Sequence, residues 1–183
     1  MPTTALLVID IQRAAFDGVR CPPIASPERL VANACSLVEA ARAGGHHIVF
    51  VQHCDEPDQP FEEGTPHWQL HESLVPAPGD SVLKKRASSS FEGTDLDSQL
   101  KAKGVTHVVL CGLQSEFCVS NTARSAIGLG YGVEVASDGH CTWPSDGRSA
   151  AEIEAEVNSA LAAAGARLSP TEGLTAALRD AQG

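Results

Sequence analysis

Three ionisable side chains stand where apolar segments of the sequence end. Asp10 closes the apolar segment ALLVID, and Lys85 closes a shorter one, SVLKK. Cys118 follows the apolar segment THVVLCG by a short turn and begins a helical pattern, within GLQSEFCVSNTARSA. If these segments are parallel strands, their carboxyl ends lie at one edge of a sheet, where ligands bind in open α/β folds. The three side chains could therefore converge at that edge.

A thiol, a carboxylate and an ammonium in one place suit nucleophilic catalysis. The thiolate attacks carbonyl carbons, and a helix start with a nearby ammonium lowers the pKa of a cysteine. The free N–H groups of a helix start can also bind an oxyanion. Asp10 could accept the thiol proton and return it to a leaving amine, so no histidine is required. We expect Lys85 to orient Asp10 and to favour the thiolate of Cys118.

Each of these residues also has an ordinary structural explanation. An aspartate that ends a buried strand often forms a turn or caps a helix. Lys85 has basic neighbours on both sides and could belong to a charged surface. A free cysteine usually packs as a small hydrophobic side chain. Cys54 and Cys141 also follow strand ends, so position alone does not select Cys118.

The elements that would position these side chains alternate along the chain. Short segments rich in Val, Ile and Leu predict strands at 5–10, 47–53, 81–85, 106–112, 132–137 and 166–169. Helical periodicity predicts helices over 26–45, 94–104, 119–130, 149–165 and 171–182. Ser26 with Pro27 predicts the start of the first helix, and Thr94 with Asp97 resembles a capping box.

Strands alternating with helices predict right-handed crossovers and a doubly wound sheet. Near-continuous apolarity within the segments is typical of parallel strands buried on both faces. The segment 54–80 is rich in proline and acidic residues and predicts a long loop that serves as a lid, a pocket wall or a partner surface. We see no domain boundary and expect one domain over 1–183.

Composition excludes several classes of protein. The chain has 183 residues and a net charge of -10, and its basic residues are scattered, which argues against nucleic-acid binding. No segment approaches the ~20 apolar residues of a membrane helix. The start of the chain lacks the basic region of a signal peptide, and the six cysteines show no CxxC pair. We therefore expect a cytoplasmic protein with reduced thiols and a small-molecule substrate, independent of nucleic acid or membrane.

Three sequence blocks together resemble those of the isochorismatase-like cysteine hydrolases, over nearly the whole chain. LLVIDIQ resembles the first-strand block, with the catalytic aspartate at Asp10. VLKKRASSSFEGTDL resembles the block of the catalytic lysine, which counting back from Phe91 assigns to Lys85. VVLCGLQSEFCVSNTARSAIGLGYGVEVASDG resembles the longest block, whose nucleophile is Cys118.

The resemblance implies both a fold and an arrangement of the site. The fold is a three-layer α/β sandwich with a six-stranded parallel sheet in the order 3-2-1-4-5-6 and helices on both faces. A non-proline cis peptide is expected at Leu113–Gln114. The backbone N–H groups of Gln114 and Cys118 then form the oxyanion hole. The resemblance further implies a homo-oligomer, a dimer or a tetramer, and no cofactor.

The resemblance also narrows the chemistry. Relatives that hydrolyse the vinyl ether of isochorismate carry aspartate at the nucleophile position. Cys118 points instead to the C–N bond of a small amide, ureide or carbamoyl compound, cleaved through a thioester. Nicotinamidases bind a metal through an Asp-x-His and a further His, whereas His53, Asp55, His67 and His71 stand in a different order here. We expect no metal, and keep a metal-assisted nicotinamidase-like amidase and a non-catalytic or redox-sensing binding module as alternatives.

Further residues in or beside these segments are candidates for the substrate pocket. They are Gln12, Phe16, His53, Trp68, Phe91, Glu116, Phe117 and Trp143. Aromatic residues make up only 4% of the chain, so the two tryptophans suggest a wall for a flat or apolar substrate. Alternatively, they pack the long loop or lie in a subunit contact.

Overall fold

The structure is a computed structural model that describes residues 3–180. Its six strands form a single parallel sheet in the order β3-β2-β1-β4-β5-β6, which confirms the predicted topology. The strands are β1 (Thr3–Ile9), β2 (His47–His53), β3 (Ser81–Lys85), β4 (Val105–Leu113), β5 (Gly132–Cys141) and β6 (Arg167–Ser169).

Five helices cover the two faces of the sheet, as predicted. They are α1 (Pro27–Ala43), α2 (Leu96–Ala102), α3 (Ser120–Gly128), α4 (Ala150–Ala163) and α5 (Thr171–Asp180). Apolar residues of α1 and α5 pack in one core cluster, and those of α2, α3 and α4 pack in the other. The result is a sandwich of three layers.

The central strand β1 shows why its sequence is apolar at every position. Leu7 and Ile9 point into the core on one face, while Leu6 and Val8 point into the core on the other. All four side chains are fully buried, because parallel strands in the middle of such a sandwich meet helices on both sides.

The element boundaries differ locally from the predicted ones. Helix α2 begins at Leu96 after the N-cap residue Asp95, so Thr94 lies one residue too early to form the predicted capping box with Asp97. The Thr94 hydroxyl donates to the Ser90 carbonyl and accepts from the Leu96 N–H. Ser26 makes no side-chain capping bond to α1. Strand β5 continues past the predicted end at 137 to Cys141. The last two residues of the predicted helix 171–182 lie outside the described residues.

The loop at 54–80 contains a single 3-10 turn, Pro66–Trp68, as its only helical piece within the described chain. Gln12 ties this loop to the sheet, because its amide donates to the carbonyls of His53 and Trp68. None of the helices within residues 3–180 is both long enough and apolar enough to span a lipid bilayer.

Gly112 of β4 lies beside Ile9 of β1, and Ile9 is the residue before Asp10. The φ of Gly112 is 132°. A Cβ there would overlap the Ile9 backbone. We expect Gly112→Ala to lower the free energy of unfolding by about 2–4 kcal/mol through this clash and the unfavourable φ.

Urea denaturation measures this loss, with Gly128→Ala as the control. Gly128 lies in α3 with open space around its Cα, so alanine should be neutral or slightly stabilising there. Equal effects of the two substitutions would contradict the close approach of β1 and β4 at Gly112.

Candidate active site

Asp10, Lys85 and Cys118 meet at the carboxyl edge of the sheet. Asp10 directly follows β1, Lys85 is the last residue of β3, and Cys118 lies in a π-helical turn, Ser115–Val119, after β4. The Lys85 Nζ atom lies 2.9 Å from Asp10 Oδ2 and 3.2 Å from Cys118 Sγ. The predicted convergence of the three side chains is therefore present in the structure.

Lys85 lies at the centre of the cluster and is almost completely buried, with 2% of its surface exposed. Besides Asp10 and Cys118, its ammonium contacts His53 Nδ1 and the Ala87 carbonyl, each at 3.1 Å. Burial disfavours the charged form, but the attraction of Asp10 and Cys118 outweighs it and raises the pKa of Lys85. Lys85 is therefore a permanent cation in this site.

Asp10 is held in an uncommon backbone conformation, with a φ of 55°. Its N–H donates to the Val51 carbonyl of β2 at 3.0 Å, which fixes the residue as the chain leaves β1. Burial raises the pKa of Asp10, while the Lys85 charge opposes that rise. Within the described chain, the Oδ1 atom is buried without a hydrogen-bond partner, so one carboxylate oxygen is available to accept a proton.

The Cys118 thiol differs from the expected thiolate. Burial, with the negative charge of Asp10, raises the pKa of Cys118 to about 12, even though Lys85 lowers it. The prediction of a lowered pKa is wrong because the desolvation of the sulfur exceeds the effect of one ammonium. The resting cysteine is thus a neutral thiol, and it requires a base to become a nucleophile.

The turn that carries Cys118 is anchored on one side by hydrogen bonds to Gln114. The peptide bond Leu113–Gln114 is cis, and the Gln114 carbonyl accepts from the N–H groups of Phe117 and Val119. These bonds form the wide turn just before α3. The residues next to the sulfur are therefore held by the backbone itself.

A buried chain of side chains anchors the same turn on its other side. Asn158 donates through Nδ2 to the Ser137 carbonyl, so its Oδ1 faces His140 and accepts from Nε2–H at 2.9 Å. His140 Nδ1 then accepts from the Ser115 hydroxyl at 2.8 Å. Burial lowers the pKa of His140, which favours this neutral ring. Sequence reasoning missed His140, because nothing in the order of residues pairs it with Ser115.

The cluster opens into a small cavity of about 220 Å³, which we call the inner cavity. Its lining residues are Asp10, His53, Asp55, Pro60, Phe61, Leu113, Gln114 and Cys118. His53 Nδ1 accepts from Lys85, so its Nε2–H donates to Asp55 Oδ1 at 3.0 Å. Asp55 Oδ2 in turn accepts from the Phe61 N–H at 3.0 Å. Hydrogen bonds thus connect the cluster of Asp10, Lys85 and Cys118 to the part of loop 54–80 that lines the cavity.

Two of the eight predicted pocket residues line cavities at this edge. His53 lines the inner cavity, and Trp143 lines a neighbouring one. Gln12 is fully buried and ties strand to loop instead of facing a cavity. Trp68 is also buried, with the Lys84 ammonium 4.9 Å from its ring.

The other four predicted pocket residues line neither cavity and make contacts elsewhere. Phe16 packs edge-on against His71, and Phe91 is partly buried and stacks on Tyr131 against the core. Glu116 accepts from the Thr142 hydroxyl at 2.9 Å. Phe117 projects outward, with 54% of its surface exposed.

Asp55, Pro60, Phe61 and Leu113 line the inner cavity but were absent from the predicted pocket. The signal that could have found the first three is the expectation that loop 54–80 forms a pocket wall. That expectation does not say which loop residues turn inward, because the loop has no regular periodicity.

The residues considered for a metal do not gather into one site. His67 pairs with Asp17 at 2.6 Å, and His71 contacts Phe16, while His53 and Asp55 contact each other. Among the described residues, the one group with suitable ligand atoms comprises Asp10, His53 and Cys118, within 4.8 Å of one another. The Lys85 ammonium contacts all three members of that group and supplies the positive charge that a metal ion would supply there.

Comparison with known proteins decides the family. The model of the isochorismatase domain matches residues 4–167. The chain belongs to the isochorismatase family. A streptothricin hydrolase of Streptomyces noursei is 37% identical over 76% of this chain, but the match spans only 50% of that relative. The present chain thus spans about half the length of the streptothricin hydrolases that it matches.

Other relatives match over most of both chains. The isochorismatase family protein YddQ of Bacillus subtilis is 37% identical over 76% of this chain and 78% of its own. The ureidoacrylate amidohydrolase RutB of an Enterobacter species is 29% identical over 84% and 82%. A solved isochorismatase from Pseudomonas putida superposes with a TM-score of 0.86, at 28% identity, over 94% of this chain and 92% of that one.

The buried ion pair makes a prediction about stability. Lys85→Met leaves the Asp10 carboxylate buried without its cation, which should cost about 3–5 kcal/mol of unfolding free energy at pH 8. The loss should be smaller at pH 5. The folded-state pKa of Asp10 is already raised, and removing Lys85 raises it further above the unfolded value. The variant therefore loses unfolding free energy as the pH rises from the unfolded-state pKa of Asp10 through its folded-state pKa.

Urea denaturation at both pH values measures this difference. Lys84→Met is the matched control, because Lys84 is exposed and should change stability by less than about 1 kcal/mol. Adding Asp10→Asn to Lys85→Met should remove the extra loss at pH 8. A Lys85→Met loss that does not depend on pH would contradict the buried pairing.

Proposed function

We propose that the protein is a cysteine hydrolase that cleaves the C–N bond of a small amide, ureide or carbamoyl compound through a thioester on Cys118. The observation that carries this proposal is the contact of Lys85 with both Asp10 and Cys118 at the wall of one cavity. The names of two relatives, a streptothricin hydrolase and a ureidoacrylate amidohydrolase, support a hydrolase of this type.

In the acylation step, Asp10 accepts the thiol proton as the Cys118 sulfur attacks the carbonyl carbon. The high pKa of the thiol makes this general-base assistance necessary. The carbonyl π electrons move to oxygen and then return as the C–N bond breaks. The proton on Asp10 passes to the departing nitrogen, which leaves as a neutral amine or ammonia.

In the deacylation step, Asp10 is again a carboxylate and accepts a proton from water as the water oxygen attacks the thioester carbon. The C–S bond breaks, and the proton returns to sulfur. Lys85 acts in both steps by holding Asp10 and by stabilising the negative charge that develops on sulfur. Its raised pKa keeps it charged throughout.

We assign the oxyanion hole to the backbone N–H groups of Gln114 and Cys118. Gln114 lines the inner cavity together with Cys118, and the turn between them is anchored by the Gln114 carbonyl and by Ser115. Donors fixed in this way need no reorganisation as negative charge develops on the substrate oxygen.

The alternatives have less support. A redox sensor needs a reactive thiolate, whereas the pKa of Cys118 is raised to about 12. A metal-assisted amidase would have to displace the Lys85 ammonium from between Asp10, His53 and Cys118. The cytoplasmic location and the homo-oligomeric assembly stay predictions.

Replacement of the nucleophile tests the proposal most directly. A panel of carboxamides and carbamoyl compounds, screened for ammonia release, supplies a substrate. Cys118→Ala should then lower kcat by roughly a thousand-fold or more, because the covalent path is lost. Intact mass spectrometry should detect an acyl adduct on the wild type and none on the variant.

Cys35→Ala is the control, since Cys35 lies on α1 and its thiol contacts the Ser73 carbonyl away from the cavity. It should keep nearly full activity. Full turnover by Cys118→Ala on the same substrate would show that the sulfur is not the nucleophile.

The pH dependence of kcat/KM reports on Asp10. Activity should fall as the pH falls and Asp10 becomes protonated, with a midpoint above the ordinary aspartate value of 3.8. No loss is expected on the alkaline side up to about pH 10, because the pKa of Lys85 is raised above 10.5 and that of Cys118 is about 12. In Lys85→Met the acid midpoint should move to higher pH, and a shift to lower pH would contradict the assignment of Asp10 as base.

A further inference from the structure

A second, larger cavity adjoins the inner one. This outer cavity has a volume of about 640 Å³, against about 220 Å³ for the inner cavity. The two share Pro60, Phe61 and Gln114 as walls. The inner cavity is smaller than the ~300–1,000 Å³ of usual ligand pockets and holds little more than the reacting group. A larger substrate must therefore extend past Gln114 into the outer cavity.

The chemistry of the outer cavity is unusually uniform. Its nine lining residues are Cys21, Pro22, Pro23, Ala25, Pro60, Phe61, Gln114, Trp143 and Pro144. Among the described residues that line it, none has a charged side chain. Four are prolines, which have no backbone N–H. Such a wall offers apolar surface and few hydrogen-bond donors, so a carboxylate entering it would lose its water without compensation.

Two charged residues close in sequence to Cys21 and Pro22 are paired with other groups. The Arg20 guanidinium contacts Glu62 at 2.8 Å and the Gln59 carbonyl at 2.7 Å. Asp17 pairs with His67. The net charge of -10 further disfavours anionic ligands.

Hydrogen bonds also hold the walls in place. The Trp143 indole N–H donates to the Pro22 carbonyl at 2.7 Å, which joins the segments after β1 and β5. Arg20 joins the first of these to the loop at Gln59 and Glu62. The cavity is thus formed without a ligand, and an apolar group can enter it at little cost in ordering.

We propose that the substrate carries an uncharged apolar group, of at least the size of an aromatic ring, that occupies the outer cavity while its amide lies in the inner cavity. This inference rests on the proposed hydrolase function for the orientation of the amide. Trp143 and Phe61 are the residues that determine specificity, and amides with a carboxylate at the same position are rejected.

Two matched pairs of probes test this assignment. In 3-phenylpropanamide and succinamate, a phenyl ring or a carboxylate is attached on the acyl side of the amide. In N-benzylacetamide and N-acetylglycine, the same two groups are attached on the amine side. Binding is measured by calorimetry to the Cys118→Ala variant, which prevents turnover, and turnover is measured separately with the wild type.

In at least one pair we expect the phenyl compound to bind ten-fold or more tightly than the carboxylate. Trp143→Ala and Phe61→Ala, each made in the Cys118→Ala background, should weaken binding of the phenyl compound about five-fold or more. Trp143→Phe should keep most of the affinity, which separates loss of apolar contact from loss of folding. Leu129→Ala, an exposed apolar residue outside both cavities, is the control and should change binding less than two-fold.

The outcomes separate the two proposals. Carboxylate probes that bind as tightly as the phenyl probes in both pairs would overturn the apolar assignment, even if the wild type hydrolyses them. Unchanged binding in both Trp143→Ala and Phe61→Ala would overturn it as well. Phenyl probes that bind as expected, in a protein that hydrolyses no amide, would support the outer cavity and contradict the hydrolase function.

Discussion

The site depends on one buried ammonium. Lys85 is removed from water and contacts Asp10, His53 and Cys118 together, so its charge and its N–H groups have partners only if those residues remain where they are. Each of them belongs to a different segment of the chain. The electrostatic cost of an unpaired buried charge therefore forces three strand ends and a loop into one arrangement.

The same ammonium influences the protonation of both Asp10 and Cys118. It lowers the pKa of both Asp10 and Cys118, but desolvation is the larger effect at each, so both pKa values stay raised, that of the thiol to about 12. The resting pair is thus a base beside a neutral thiol, which suits proton transfer during attack better than a permanent thiolate would. A thiol that ionises only as it reacts also has little reactivity towards oxidants.

Two sets of hydrogen bonds hold the segments around the site in place. The buried hydrogen-bond chain from Asn158 through His140 to Ser115 holds the turn that presents Cys118. On the opposite side, the bonds of Asp55 to His53 and to Phe61 hold the loop that closes the inner cavity. Hydrogen bonds thus hold the walls of the inner cavity, and the outer cavity beside it is apolar because prolines and aromatic rings line it.

Apolar periodicity and the order of the sequence blocks were enough to predict the sheet, its layers and the meeting of Asp10, Lys85 and Cys118. The period of the apolar residues, the residues at the strand ends and the order of the sequence blocks can all be read along the chain. Parallel strands place their carboxyl ends at the same edge of a sheet. The folded chain was needed to show which loop side chains face the cavity, that Phe91 packs against the core instead, and that His140 bonds to Ser115. It was also needed to learn the protonation state of Cys118, because desolvation depends on every atom that excludes water, and those atoms come from distant parts of the chain.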